Sequence, residues 1–600
     1  MGPEARKDLR NLAIIAHVDH GKTTLVDALL RFSGALGSRD FQVRVMDSGD
    51  LERERGITIS SKNTSIEWEG LRIQLVDTPG HADFGGEVER ILGMVDATLL
   101  LVDAVEGVMP QTRFVLRKAL SHGLRPILVV NKIDRPEQRA EAVVDEVFDL
   151  LVDLGANDVQ LDFPVVYASA KKEVATCDLN EPMIDLRPLL EVIRDHAPAP
   201  NVDKHGPLQF QAVTLGWDDF VGRLVIGRVE RGALVRNAPV VRIAEGGATE
   251  TFRVTKLFGV DGLKRTERER AEAGDIAILA GIDSIEIGDT LCSPETLEPL
   301  PRIALDPPTL RVRFSVNDSA FAGREGTFVT SRQLRERLLR EALTNPAIQI
   351  EEGGAGETFE VAGRGELQLA VLIETLRREG FELSVARPEI ILKEEDGKTL
   401  EPMEEVWVEI PEKLAGSVME KLGSRKGRMI SMQHEGERIV LQYRVASRCL
   451  FGYRSEFLTD SRGEGVLNRT VVGYEPWVGD VSGRGVGAIV ATCEGRATAH
   501  ALASIQERAT MFISPGDIVY EGQVVGEARR AGDIQVNVCR TKKLTNIRAA
   551  GRDDSPQVTP PRPLTIESGL EWIEDDELLE ATPKSLRLRK KILSASFRKR

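Results

Sequence analysis

Ala16-His17-Val18-Asp19-His20-Gly21-Lys22-Thr23-Thr24 is the stretch from which the rest of the chain can be read. It follows an apolar run, Leu12 to Ile15, with the pattern of a buried strand. It precedes Leu25-Val26-Asp27-Ala28-Leu29-Leu30, which has the pattern of an amphipathic helix. A strand, a loop and a helix opening on Gly-Lys-Thr form a phosphate-binding loop, in which backbone N–H groups point at anionic oxygens. Lys22 is expected to span β- and γ-phosphates, and Thr23 to offer its hydroxyl to Mg²⁺. Ala16 stands where the usual pattern begins with glycine. Asp19, His20, Gly21, Lys22, Thr23 and Thr24 are therefore the first candidate phosphate contacts.

Outward from this loop, apolar strand candidates alternate with helix candidates. The strands are Leu71–Val76, Ala97–Val102, Pro126–Val130 and Phe163–Tyr167; the helices fall near 111–122, 137–153 and 185–195. Such alternation predicts a mostly parallel sheet with helices on both faces, and ligands beyond the carboxyl ends of its strands. The remaining motifs fall at those ends. Asp77-Thr78-Pro79-Gly80-His81 follows one strand; Asp77 can hold Mg²⁺, and Gly80 lets the backbone approach a γ-phosphate.

Asn131-Lys132-Ile133-Asp134 follows another strand. A carboxylate here can accept two hydrogen bonds from the N1–H and N2–H₂ edge of guanine. Adenine offers an acceptor at N1 and no amino group at C2, so the same carboxylate selects against it. Asn131 would tie this loop to the phosphate loop. Ser169-Ala170-Lys171 can bring a backbone N–H to guanine O6. Gly56-Ile57-Thr58-Ile59 lies after the polar stretch Ser33–Arg55; Thr58 is expected to give Mg²⁺ a second hydroxyl, in a segment ordered by GTP.

His-Val-Asp-His-Gly-Lys-Thr, Arg-Gly-Ile-Thr-Ile, Asp-Thr-Pro-Gly-His and Asn-Lys-Ile-Asp together resemble the translational GTPases. The resemblance implies that His81 positions the attacking water, that Val18 and Ile57 form a hydrophobic gate around it, and that Asp19 is a ligand for a monovalent cation. No arginine finger is assignable, so hydrolysis by the free protein is expected to be slow, roughly 10⁻⁴ to 10⁻² per second, until a partner completes the site.

Beyond Pro198-Ala199-Pro200, residues 208–292 hold short β-rich runs with glycine turns, which predicts a closed β-barrel. Leu300-Pro301 to Pro307-Pro308 is a linker. Residues 309–387 and 403–476 then repeat one layout, strand–helix–strands–helix–strand, the pattern of a split βαβ, ferredoxin-like fold. They resemble the third and fifth domains of elongation factor G. That factor carries a further domain between them, whereas here Arg387-Pro388-Glu389 runs almost directly into Leu400-Glu401-Pro402. The fold class expected is multidomain: an α/β P-loop GTPase domain (1–202), a β-barrel (203–303), two ferredoxin-like α+β domains (304–388 and 389–478) and a small α+β C-terminal domain (479–600).

The net charge of −15 argues against indiscriminate nucleic-acid binding over the whole surface. Thr541–Arg548 and the tail Arg587–Arg600 are locally basic, with the acidic run Glu571–Glu580 between them, which directs any RNA contact to the C-terminal end. Lys542, Lys543, Arg548 and Arg552 are the candidate phosphate contacts. The run Thr541–Arg552 resembles the C-terminal domain peculiar to the BipA/TypA family; LepA shares the missing domain but ends differently. The five cysteines are scattered and never spaced C-x-x-C, which fits a reducing cytoplasm and no metal site.

The family resemblance implies a cytoplasmic, ribosome-associated GTPase acting in large-subunit assembly and in stress- and cold-adaptive translation. Its implied substrate is GTP with Mg²⁺. Its implied partners are the ribosome, ribosomal RNA, ribosomal proteins and A-site tRNA, with no membrane and a monomer off the ribosome. The competing readings are a LepA- or elongation factor G-like translation factor, and a slow GTP-gated switch that binds ribosomal RNA.

Overall fold

The computed structural model describes residues 2–17, 19–35, 50–55, 61–79, 85–218, 220–282, 284–303, 307–345, 347–353, 357–435, 438–479, 484–541 and 557–598. The chain forms two compact units, one of residues 1–306 with 343–346 and one of the remainder.

The first unit opens with a seven-stranded sheet: β1 (Leu9–Ala16), β2 (Asn63–Trp68), β3 (Leu71–Asp77), β4 (Ala97–Asp103), β5 (Arg125–Asn131), β6 (Val165–Ser169) and β7 (Val174–Thr176). Their order is β2-β3-β1-β4-β5-β6-β7. β3, β1, β4, β5 and β6 run parallel, and the edge strands β2 and β7 are antiparallel. β4 is buried at every residue, as a central strand covered on both faces must be. One face packs Leu12, Leu25, Leu29 and Leu101; the other packs Ile15, Leu92, Leu116 and Val147. Helix α1 (Lys22–Phe32) turns its buried Leu25, Val26, Leu29 and Leu30 into this core.

Residues 209–292 form an eight-stranded sheet whose neighbours all pair antiparallel, around Phe210, Val225, Leu257, Leu279 and Leu291. Its strands include Thr249–Arg253 and Lys256–Asp261. Arg228 bonds Met94 O (3.0 Å) and Asp96 (3.0 Å), and Asn11 bonds Gly274 O (3.0 Å), which fixes this sheet to the first.

In the second unit, β8 (Leu310–Val316), β9 (Gln349–Glu352), β10 (Thr358–Gly363) and β11 (Leu383–Ala386) are ordered β9-β10-β8-β11. The strands β12 (Lys398–Pro411), β13 (Arg428–Glu435), β14 (Arg438–Ala446) and β15 (Val466–Pro476) repeat that order, β13-β14-β12-β15. Each set carries two helices, Ser331–Thr344 and Glu366–Glu379 in the first, Ala415–Ser424 and Tyr453–Asp460 in the second.

The last strands are β16 (Ala488–Ala491), β17 (Gln523–Ala528), β18 (Ile534–Val536), β19 (Glu577–Ala581) and β20 (Leu586–Lys590). They extend the first of these sheets: β11 pairs antiparallel with β19, and the order continues β20-β17-β16-β18. Ile566, Leu570, Trp572, Leu579 and Leu588 share one core with Val312, Phe314, Leu369 and Val385.

The acidic run and the basic tail therefore have a different meaning from the one their composition suggests. Glu577 and Glu580 are fully buried in β19, and Arg589 and Lys590 nearly so in β20. Arg587 pairs with Glu580 (3.0 Å) and Glu325, Arg589 with Asp318, and Lys590 with Asp533, Asp576 and Glu577 (2.6–2.9 Å). Among these carboxylates Glu577 and Glu580 are buried, and Arg587, Arg589 and Lys590 are each engaged by an acid of the chain itself, so the 587–590 part of the tail has little charge to give an RNA. A short helix, Ala499–Ile505, is capped by the Thr498 hydroxyl.

Candidate nucleotide site

The sheet brings the motif residues to one edge. β1 ends at Ala16, β3 at Asp77, β4 at Asp103, β5 at Asn131 and β6 at Ser169. All are carboxyl ends of parallel strands.

Gly21 sits at the N-cap of α1 with φ 94°, a left-handed conformation that glycine adopts without steric cost. A Cβ there would lie 2.4 Å from Asn131 Nδ2, so the position also needs the missing side chain for space. Asn131 accounts for that crowding. Its Nδ2 donates to His20 O (2.8 Å), and its Oδ1 accepts from Ala170 N (3.0 Å). One amide thus ties the phosphate loop, the Asn-Lys-Ile-Asp loop and the Ser-Ala-Lys loop together. Ser169 Oγ donates to Asp134 Oδ1 (2.7 Å), and this hydrogen bond is the main reason the Asp134 carboxyl lies below the usual carboxylate range. Asp134 is thereby held ionised.

Lys22 Nζ meets Asp77 Oδ1 at 2.6 Å and donates to Thr78 O at 3.2 Å. The two residues expected to face phosphate and metal are each other's partners here. Thr23 stands in the first turn of α1, next to Lys22 in sequence. Asp77 is almost wholly buried, and Thr78 Oγ1 anchors its neighbour to Ile14 O (2.7 Å). The buried Asp77 carboxylate, held by Lys22 at the start of α1, is a hard oxygen donor of the kind that suits Mg²⁺.

His20 is fully buried. Burial, with His17 beside it, pushes its imidazole down to about 4. Its Nδ1 accepts from Asp103 N (3.3 Å). Protonation would cost that acceptor, so His20 is a neutral post under the loop. Between its ordinary value of 6.5 and about 4, the unfolded chain binds a proton that the folded site does not. Stability contributed by His20 is therefore complete above pH 6.5 and declines as pH falls through that window. We expect His20→Gln to flatten the fall in unfolding free energy between pH 7 and pH 5 by about 2 kcal/mol, measured by denaturant titration. Parallel curves for the variant and the parent would refute this.

Asp103 and Glu106 were not singled out by motif reading. Asp103 is fully buried. Burial alone would raise its carboxyl, but the ammonium of Lys132 at 2.7 Å holds it below the ordinary value. Lys132 itself has φ 64°. Glu106 lies 3.5 Å from His20 Nε2. The only available signal was an acid closing an apolar run, Leu99–Val102.

Ile133 donates to Ala168 O (3.4 Å); Thr24 stands in the first turn of α1, and Lys171 follows the end of β6. Val18, Ile57, Thr58, Gly80 and His81, and the RNA candidates Lys542, Lys543, Arg548 and Arg552, lie outside the described residues.

Comparison with known proteins agrees with this arrangement. Residues 7–199 match the elongation factor Tu GTP-binding domain and 222–292 match elongation factor Tu domain 2. Residues 398–484 match the elongation factor G C-terminus and 486–595 the TypA/BipA C-terminal domain. The large ribosomal subunit assembly factor BipA of Escherichia coli is 50% identical over 595 residues, covering 99% of this chain and 98% of that one. The chain belongs to the TypA/BipA family. It is a GTP-binding protein of the translational GTPase class. The BipA proteins of Bacillus subtilis (49% identical; 99% of this chain, 98% of that one) and Synechocystis (50%; 97% and 98%) are similar over nearly their whole length. A solved protein of Thermus thermophilus shares the fold, with a TM-score of 0.55, 19% identity, and coverage of 79% of this chain and 98% of that one. No helix among the described residues is long and apolar enough to cross a membrane.

Proposed function

We propose that this chain binds GTP with Mg²⁺ and hydrolyses it to GDP and phosphate on the ribosome, in the service of large-subunit assembly. The observation that carries this reading is Asn131, whose single amide braces the phosphate loop against the loop that presents Asp134. The 50% identity with proteins named large ribosomal subunit assembly factor supports the role.

Asp134 accepts the N1–H and N2–H₂ of guanine, and the loop Ser169-Ala170-Lys171 gives a backbone N–H to O6. Lys22 releases Asp77 and takes β- and γ-phosphate oxygens, while backbone N–H groups from Asp19 to Thr24 surround the phosphates. Thr23, Thr58 and Asp77 are the residues that would hold Mg²⁺. A divalent ion there supplies charge neutralisation between the β- and γ-phosphates. Asp19 is the proposed ligand of a monovalent cation. His81 orients the attacking water, with Val18 and Ile57 as the gate around it and Gly80 close to the γ-phosphate. A γ-phosphate oxygen takes the proton, so His81 need not be a free base. The ribosome stimulates the reaction by holding His81 inward.

We read the two four-stranded repeats as ferredoxin-like domains, residues 203–303 as a barrel, and Lys542, Lys543, Arg548 and Arg552 as contacts to ribosomal RNA or A-site tRNA. The protein is read as cytoplasmic and monomeric off the ribosome.

The test is His81→Ala. Ribosome-stimulated turnover should fall at least 100-fold, while GTP and GDP affinities stay within threefold of the parent (roughly the size of a lost catalytic orienting group). Full stimulation in the variant removes His81 from the mechanism. Stimulation of the parent below about tenfold favours the slow RNA-binding switch instead.

A further inference from the structure

The antiparallel ladder between β17 and the strand Ala509–Met511 pairs Ala509 with Ala528, Thr510 with Glu527 and Met511 with Gly526. Continued by one residue, the register sets Arg508 opposite Arg529, and Arg529 N donates to Arg508 O at 3.1 Å. Directly opposed residues of an antiparallel pair project from the same face, with Cβ atoms about 5 Å apart. Like charges in that position repel and destabilise the pair.

The usual remedy is a carboxylate, and this chain, at −15, has many. Arg484, Arg587, Arg589 and Lys590 all have one nearby in the sheet. Arg508 and Arg529 are exposed, as is Arg530, and none forms an ion pair with a described residue. Glu527, two residues before Arg529 on the same face, is already engaged by Trp572 Nε1 (2.7 Å) and Arg562 (3.2 Å). Arg562 enters from the far side of the strand, its N donating to Met511 O (2.9 Å). Glu507 is exposed beside Arg508 in the chain but pairs with neither guanidinium. The result, among the described residues, is two opposed and unneutralised guanidiniums at the end of the ladder, with exposed Arg530 next in the chain.

We propose that Arg508, Arg529 and Arg530 form a phosphate-binding edge for an RNA backbone, separate from the basic stretch after Thr541. An RNA phosphate between the opposed guanidiniums would replace repulsion with two charge-assisted hydrogen-bonded pairs. The surface offers no flat aromatic for base stacking at these positions, so recognition would be of backbone rather than sequence. This inference rests on the ribosomal reading above.

The experiment compares the full chain with Arg508→Gln/Arg529→Gln, using purified large ribosomal subunits and, separately, protein-free large-subunit RNA, in both cases over 50 to 200 mM salt. Arg125→Gln, an exposed cation on the first sheet, controls for net charge. The double variant should bind both probes about tenfold more weakly at low salt. Its plot of log affinity against log salt should be shallower by about 1.4 to 1.8, as expected for two lost phosphate contacts. GTP affinity should not move, and the unfolding midpoint should not fall, since the substitutions relieve the repulsion between the two strands. An unchanged slope on the protein-free RNA overturns the proposal, including when subunit binding alone is weakened, since an acidic ribosomal protein would then be the partner. If the parent ignores subunits, the ribosomal reading fails, and the RNA arm still decides the phosphate edge by the same slope.

Discussion

Truncation after Val478 should leave a chain that binds GTP as before and no longer folds through residues 310–386. Composition suggests a detachable C-terminal domain, but the sheet does not end where that domain begins. β11 has β8 on one side and β19 on the other, with Leu383, Ser384, Val385 and Ala386 paired to Ala581, Glu580, Leu579 and Leu578. Removing β19 turns a fully buried central strand into an edge. It also strips Ile566, Leu570, Trp572, Leu579 and Leu588 from the shared core. At about 1.5–3 kcal/mol for each large apolar side chain, the loss is of order 10 kcal/mol, comparable with the whole stability of a domain.

The polar contacts point the same way. Glu580 accepts from Asn317 (3.0 Å), Ser319 (3.0 Å) and Tyr520 (2.6 Å). Glu382 accepts from the backbone N–H groups of Gly323, Glu325 and Gly326 (2.6–2.8 Å). Deleting the Glu580 carboxylate leaves the buried Ser319 hydroxyl without its acceptor, at a cost of about 1–3 kcal/mol, and leaves Asn317 Nδ2 only its longer bond to Glu382 (3.3 Å). Hydrogen exchange on the 1–478 chain should therefore find β8, β10 and β11 unprotected, with protection retained in β1 and β4. Nucleotide titration should give an affinity within threefold of the parent. Native-like protection of β11 would show the extended sheet to be energetically dispensable.

How far the sequence could be read followed from where its signals are local. The parallel sheet was legible because each buried strand is a continuous apolar run closed by a motif residue, as in Ala97–Asp103 and Arg125–Asn131. The helices Ser331–Thr344 and Glu366–Glu379 fall where the strand–helix–strands–helix–strand layout of residues 309–387 requires two helices. The edge strand Asn63–Trp68 was missed because it carries Asn63, Thr64, Ser65 and Glu67, and only its antiparallel pairing with β3 makes it a strand. β19 and β20 were misread for a related reason. Glu577, Glu580, Arg587 and Lys590 look like solvated charge until their cross-strand partners are known. Pairing across distant segments is not encoded in composition. The same limit hid Asp103, which is joined to Lys132 only by the neighbouring order of β4 and β5.

Asp134→Asn should lower affinity for GTP and GDP by at least 100-fold and raise affinity for xanthosine triphosphate. In the parent, Ser169 Oγ donates to Asp134 Oδ1 and keeps the carboxyl ionised. The hydroxyl also leaves lone pairs of the carboxylate free to face a base with two donors, N1–H and N2–H₂. An amide has one acceptor and one donor group. Against guanine, its NH₂ would oppose the N2–H₂, so one hydrogen bond is lost and two donors are left facing each other. The lost charge-assisted bond is worth about 1.5–3 kcal/mol and the donors left facing each other cost about 1–3 kcal/mol more, so a loss of about 3–6 kcal/mol, or roughly 10² to 10⁴ in affinity, follows. Xanthine carries a carbonyl at C2 in place of the amino group and can accept from the same NH₂, which reverses the preference. The brace through Asn131 to His20 O and Ala170 N is untouched by this change, so the phosphate loop should keep its shape. Competition titrations of GTP, ATP and xanthosine triphosphate on both proteins separate base selection from general damage. Damage weakens all three together, whereas selection weakens GTP and strengthens xanthosine triphosphate while ATP stays unbound by either protein.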